Sequence, residues 1–366
     1  MPVPSPHPAA FPAAVPGSLG FDPTRLAAAV AHAEGHDSPF PRDILAHLEG
    51  GHFEAPPDNE VLGPTAPRGA PNGLILRDGV LAARWGDTRQ VDMTFSVAKS
   101  CLSLLAGVAV GDGLLPDLDA PVSASVRHPA FEGSRNGAVT WRMLLTQTSE
   151  WEGTLFGKAD RIDRGRDLAR EGKAPKGWER PLQTPGAYWE YNDVRVNALS
   201  LGLLHLFRRP LPEVWRDRVA GPIGSSPDWR WEAYRTATVE IDGAPMPSVP
   251  GGGHWGGGIF THAEDQARIG LLMLNDGVWD GRRILPEGWV AASGQPCPLN
   301  ADYGLLWWLN RSGSFPRGDR AALRASGAGG HTIWVEPATR IVAVFRWLDP
   351  AALPDMIRLI AEARTA

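Results

Sequence analysis

Ser96-Val97-Ala98-Lys99 is the only Ser-x-x-Lys in this 366-residue chain. On the first turn of a helix, positions i and i+3 share a face, so the lysine amine lies beside the serine hydroxyl. A serine hydroxyl is a poor nucleophile until a neighbour takes its proton. A lysine can do that when burial lowers its pKa, whereas arginine stays protonated. The residue choice is informative because only four of the 36 Lys and Arg residues are lysines: Lys99, Lys158, Lys173 and Lys176. The plain alternative is a solvated lysine after an N-cap serine. The apolar flanks Met93-Thr94-Phe95, Cys101-Leu102 and Leu104-Leu105 argue against solvent. A helix N-terminus at Ser96 would also supply free N–H groups and a positive dipole end for a developing oxyanion.

The elements that must position this pair follow from pattern. Ser96 to about Val110 is too long an apolar run for a strand and reads as a buried helix ended by Gly111 and Gly113. Leu74–Leu76 and Val80–Trp85 flank Asp78-Gly79 and read as a β-hairpin. Asp22-Pro23 starts a helix reaching about Gly35. Asp265 to Asn275 reads as an amphipathic helix. His331–Glu336 and Ile341–Trp347, joined by Pro337–Arg340, read as antiparallel strands, and Asp349-Pro350 caps a last helix carrying Leu353, Ile357 and Ile360 on one face. Residues 115–235 mix short helical patterns with Pro- and Gly-rich loops. The expected fold is α/β, an α+β sandwich in which an antiparallel sheet is flanked by N- and C-terminal helices. Residues 21–114 and 236–366 would form the sandwich, residues 115–235 a mostly α-helical insertion, and residues 1–20 a flexible arm.

Composition narrows the function classes. Net charge is −5 with no basic stripe, which argues against nucleic acid. No apolar run reaches the roughly 18 residues of a membrane span, and Met1–Gly17 does not read as a signal peptide, so the expectation is cytoplasmic. Cys101 and Cys297 form neither a disulfide framework nor a metal site. His32 and His36 stand at i, i+4 but lack the zinc-protease order. Gly251-x-Gly253-x-x-Gly256 lacks a βαβ unit, and no Gly-x-Ser-x-Gly elbow is present. Neither metal nor cofactor is expected, and the oligomeric state is left open.

Several further segments, in order from about Leu74 to Trp347, resemble the serine β-lactamase and penicillin-binding protein superfamily, nearest its class C-like esterases and 6-aminohexanoate-dimer hydrolases. They are Thr94–Ser100, then Val139–Ser149 with Gln147 for the usual His and Glu150 for the usual Gly after it, then Pro185-Gly186 with Trp189–Asp193, Gly256–Thr261 with Asp265, and Ser326–His331 with Val335–Pro337. The resemblance implies a β-lactamase/transpeptidase-like fold, Ser96 as nucleophile, Lys99 as its activator and Tyr191 as base and acid, with Tyr188 as fallback. It implies an oxyanion hole from the N–H groups of Ser96 and Ala328. Asp193 and Gly327 are expected at the substrate, with Trp151, Trp255, Trp307, Trp308 and His254 as candidate pocket residues. Two departures stand out: Asp193 where the motif has asparagine, and Ala325 where lactam-processing members have a cation. These imply a serine hydrolase acting on a small-molecule ester or amide through an acyl-enzyme, a carboxylesterase or amidase with weak or no β-lactamase activity. The alternatives are a D-amino-acid peptidase or transpeptidase-like protein and a non-catalytic binding module on the same fold.

Overall fold

The computed structural model describes residues 10–168, 176–177 and 180–365; the first nine residues of the expected arm, and Lys173, lie outside it. Its centre is a six-stranded antiparallel sheet of β1 (Asn72–Arg77), β2 (Val80–Trp85), β3 (Trp308–Leu309), β4 (Leu323–Gly327), β5 (His331–Glu336) and β6 (Ile341–Arg346). The spatial order is β3-β4-β5-β6-β1-β2, so the two ends of the chain meet where β6 pairs β1. The β1–β2 turn needs two successive left-handed residues, and Asp78 (φ 51) and Gly79 (φ 79) supply them.

Helices cover both faces. α1 (Pro23–Gly35), capped by the Asp22 side chain, packs on α5 (Leu353–Ala363) over Ile75, Ala343 and Phe345. The opposite face carries α4 (Ala263–Leu274) over Leu76, Val342 and Val344, and α2 (Val97–Gly111) beside β4. Burial on both sides is why β6 reads as a continuous apolar run without polar alternation. α2 is buried along nearly its whole length because α3 (Asp193–Phe207) packs against its other side.

Two details differ from the sequence expectation. Residues 12–20 do not trail away: Ala14 N–H donates to Leu81 O, Leu81 N–H donates to Pro12 O, and Pro16–Leu19 forms a short 3-10 turn. Backbone pairing with the open edge of β2 holds what composition alone marked as loose. Within residues 115–235, short helices alternate with extended pieces. One of these, Arg230–Glu232, pairs with Gly258–Thr261 in a three-stranded sheet completed by Asp92–Met93. Among the described residues, no helix is long and apolar enough to cross a membrane.

Candidate active site

Ser96 lies where the chain turns from Asp92–Met93 into α2. Phe95 before it has φ 48, a conformation that costs a bulky residue about 1–3 kcal/mol. Its buried ring is fixed by the edges of Phe40 and Trp347 and by the stacked ring of His331. This packing holds the turn that aims Ser96. Lys99 Nζ donates to Ser96 Oγ at 2.8 Å and lies 4.7 Å from the centre of the Tyr191 ring. Ser96, Lys99 and Tyr191 are thus brought together, from the first turn of α2 and from the strand-like entry to α3.

Asp193 is the fourth member of this group. Its Oδ1 lies 2.6 Å from Lys99 Nζ and 3.3 Å from Arg166 Nη1. Burial alone would raise the carboxyl's pKa, but Lys99 and Arg166 hold it below the usual range, so it stays ionised. The same two cations sit 4.7 and 5.0 Å from the centre of the Tyr191 ring. Burial pushes the Tyr191 phenol up and Asp193 adds to this, while Lys99 and Arg166 pull it back only in part.

A second charged layer supports the first. Asp193 N–H donates to Asp163 Oδ2 at 2.7 Å, and Lys176 Nζ stands 2.5 Å from both Asp163 and Glu54. One ammonium cannot keep two adjacent buried carboxyls ionised. Asp163 is held below its usual range by Lys176 and Arg166 against the effect of burial, whereas burial pushes Glu54 up to about 8. His254 accepts from Arg166 Nη2 at 3.0 Å and stacks on Phe53 at 3.8 Å. Burial lowers its pKa well below the ordinary value and keeps the ring neutral. Glu54, Asp163 and His254 bring ligand-type atoms within 4.8 Å of one another, but Lys176 already supplies the positive charge there.

Glycines let the backbone pass close to these groups. A Cβ on Gly252 would lie 2.3 Å from Asp193 Oδ2 and 3.2 Å from Lys99 Nζ. A Cβ on Gly327 would lie 2.1 Å from Thr94 O and 3.2 Å from Ser96 N, so β4 runs directly against the start of α2. That approach brings the end of β4, the residue before Ala328, beside the Ser96 N–H. Among the described residues, neither the Ser96 nor the Ala328 N–H donates to a backbone carbonyl.

Other candidates are placed elsewhere. Trp151 and Trp255 are core residues whose indole N–H groups donate to Ala130 O and Asp58 O, and Trp307 is wholly buried. His254 lies behind Asp193 rather than at a pocket mouth. Trp308 is the half-buried exception, stacked on Tyr191 at 5.5 Å. Tyr188 is 39% exposed under Arg180, away from Ser96. The departures in Val139–Glu150 have structural partners: Gln147 Oε1 accepts from Asn192 N–H, and Glu150, at φ 45, binds Arg180 and Arg195.

Sequence reasoning did not single out Arg166, Asp163, Glu54, Lys176 or Gly252. Gly252 had a signal, since it lies in the glycine run Gly251-Gly252-Gly253. Lys176 also had one, in the scarcity of lysine. The acids carried none, because they come from separate loops.

A sequence model of the Beta-lactamase family matches residues 75–363. A 6-aminohexanoate-dimer hydrolase of Paenarthrobacter ureafaciens is 30% identical over 134 residues, covering 32% of this chain and 31% of that protein. The chain therefore aligns with about a third of that relative's length. Among solved structures, a family VIII carboxylesterase superposes with a TM-score of 0.59 at 15% identity, over 93% of this chain and 97% of that one. A penicillin-binding protein homolog from Caulobacter crescentus superposes with a TM-score of 0.56 at 16% identity, over 89% and 98%. At these identities the structural likeness is one of fold. The family match spans nearly all of the sheet, α2 to α5 and the Ser96 turn: the chain belongs to the beta-lactamase family of serine hydrolases.

Proposed function

We propose that this chain hydrolyses an ester or amide through an acyl-enzyme on Ser96. The observation that carries the reading is that Lys99 Nζ donates to the Ser96 hydroxyl at 2.8 Å and lies 4.7 Å from the Tyr191 ring, at the start of a buried helix. Ser96 Oγ attacks the carbonyl carbon while its proton passes to the Tyr191 oxygen in its phenolate form. The carbonyl electron pair moves to oxygen, and the oxyanion accepts from the Ser96 and Ala328 N–H groups. Collapse expels the leaving oxygen or nitrogen, which takes the proton from Tyr191, and water repeats the sequence on the acyl-enzyme.

The ion pair with Asp193 favours a charge role for Lys99 over that of proton acceptor, since the ammonium stabilises the phenolate. Arg166 adds a second cation on the same ring. The 6-aminohexanoate-dimer hydrolase relative and the carboxylesterase-like fold support amides and esters as the substrate class.

A fluorophosphonate probe followed by peptide mapping tests the reading. The expected result is stoichiometric label on Ser96, no label and no turnover of 4-nitrophenyl esters in Ser96→Ala, and an unchanged melting temperature. Label on another residue, or turnover surviving in Ser96→Ala, removes Ser96 as nucleophile. A chain that neither labels nor turns over any ester or amide is a binding module.

A further inference from the structure

An asparagine at position 193 would be neutral. The aspartate found there brings a negative charge to within 2.6 Å of Lys99 Nζ. That charge cancels the one cation that the Ser-x-x-Lys pattern supplies, and it acts on the same Tyr191 phenol. An acid in this position therefore requires a second cation if Tyr191 is to meet net positive charge.

Arg166 is placed to be that cation. Asp160–Asp163 forms a short 3-10 turn, and Gly165, at φ 70, bends the chain after it. The Gly165 N–H donates to Glu190 Oε1 at 2.9 Å, which ties it to the residue before Tyr191. The arginine fork then divides. Its Nη1 donates to Asp193 Oδ1 at 3.3 Å and its Nη2 to the neutral His254 ring at 3.0 Å, while the guanidinium carbon lies 5.0 Å from the Tyr191 ring centre. Arginine suits the place because it keeps its proton even with only 3% of its side chain exposed. Its neighbours leave the charge available. Asp163, 3.9 Å from Nη1, is held more closely by Lys176 at 2.5 Å. Glu54, on the same ammonium, is pushed up to about 8 by burial and is mostly neutral at pH 7. The remaining groups around Tyr191 do not duplicate Arg166. Tyr303 meets its ring edge-on at 6.1 Å and burial keeps that phenol protonated. Arg324 lies behind the Trp308 ring, 5.6 Å from it, and Trp308 itself stacks on Tyr191.

We propose that Arg166 is a positioning residue whose charge offsets Asp193, so that the pair, rather than either residue alone, sets the positive charge that Tyr191 meets. It acts through Asp193 and the Tyr191 ring, and its effect on turnover rests on the hydrolase reading. The departure from asparagine at position 193 is thereby tied to an arginine from a separate segment, and the two substitutions make sense only together.

The limb of kcat/KM that rises with pH reads the charge at Tyr191, and a residue that only holds the fold would not move it. With 4-nitrophenyl esters, Arg166→Gln should shift this limb up by roughly one to two pH units, the scale of a charge within about 4–6 Å. Asp193→Asn should shift it down, and the double variant should return near wild type. Arg166→Lys, which keeps the charge, should lie between wild type and Arg166→Gln. A limb in Arg166→Gln within about 0.3 pH units of wild type, well below that scale, overturns the proposal. Should Arg166→Gln alone fail to fold, the double variant is compared with Asp193→Asn: its limb is expected at higher pH, and equal limbs overturn the proposal. Ultraviolet difference titration of tyrosine ionisation, with Tyr191→Phe as the blank, reads the same offset without substrate. Tyr191 should ionise at higher pH in Arg166→Gln than in wild type, and equal titrations overturn the offset. Fluorophosphonate labelling of Ser96 tests the hydrolase reading separately, since labelling persists when only the offset fails.

Discussion

Replacing Asp193 with asparagine removes one negative charge shared by two buried cations. Arg166 keeps His254 at 3.0 Å and Asp163 at 3.9 Å, while Lys99 keeps Ser96 Oγ but loses the ionised carboxylate 2.6 Å from its ammonium. Leaving a buried charge without its partner costs about 3–5 kcal/mol. Unfolding entropy of roughly 2.1 cal/mol/K per residue over 366 residues gives about 0.8 kcal/mol/K, so the melting temperature should fall by about 4–7 °C at pH 7. The sign with pH follows from the depressed carboxyl. Its stabilisation is fully present above the ordinary carboxylate pKa of about 3.9 and is lost as pH falls through the lower folded value. The gap between the two proteins should therefore close on strong acidification. Catalysis should respond in the opposite sense to stability. Asp193 helps to raise the Tyr191 phenol, so the alkaline-rising limb of kcat/KM should move to lower pH in Asp193→Asn. Thermal melts from pH 3 to 8 and blank-corrected ester hydrolysis across pH 6 to 10 measure both effects. A melting temperature within about 1 °C of wild type at pH 7, well inside the shift computed above, or a limb that moves to higher pH, refutes the reasoning.

Tyr191→Phe should lower kcat on activated esters by on the order of 10²–10⁴, whereas Tyr188→Phe, altering an exposed ring, should do far less; the reverse ranking in steady-state assays would move the base. Gly252→Ala places a methyl group 2.3 Å from Asp193 Oδ2, so it should lower kcat more than it raises KM, and unchanged kinetics would show that the ion pair is not needed. Glu54, pushed up to about 8 by burial, binds more protons folded than unfolded. Its stabilisation is complete below its ordinary value of about 4.3 and is lost as pH rises through about 8. Glu54→Gln should thus flatten the fall in melting temperature between pH 5 and 9, and an equally steep fall in the variant would contradict the raised carboxyl.

The helix from Ser96, the Asp78-Gly79 hairpin, the Asp22 cap and the two C-terminal strands were all legible because each depends on neighbours within a few residues: a period, a cap or a turn that only certain side chains allow. The Ser-x-x-Lys face is of the same kind, since i and i+3 meet on any helix. The docked segment at residues 12–20 was not legible, because its pairing partner is Leu81, nearly seventy residues away in sequence.

The site beyond Ser96 and Lys99 depended on contacts between distant segments. Residue type at position 193 shows an acid but not that Lys99 and Arg166, from two other segments, will share it. Tryptophan in a motif does not tell a core ring such as Trp151 from a stacked wall such as Trp308, because only the packing around each decides. Strand parity tells that Arg324 and Ala325 face opposite ways, but not which face meets α2; the close approach of β4 at Gly327 decides that. The sequence by itself determined that Ser96 and Lys99 share a helix face, and the elements around them, since these rest on local geometry. Only the tertiary structure decided the charges that surround them, since Coulomb and burial effects depend on distance in space and not on order along the chain.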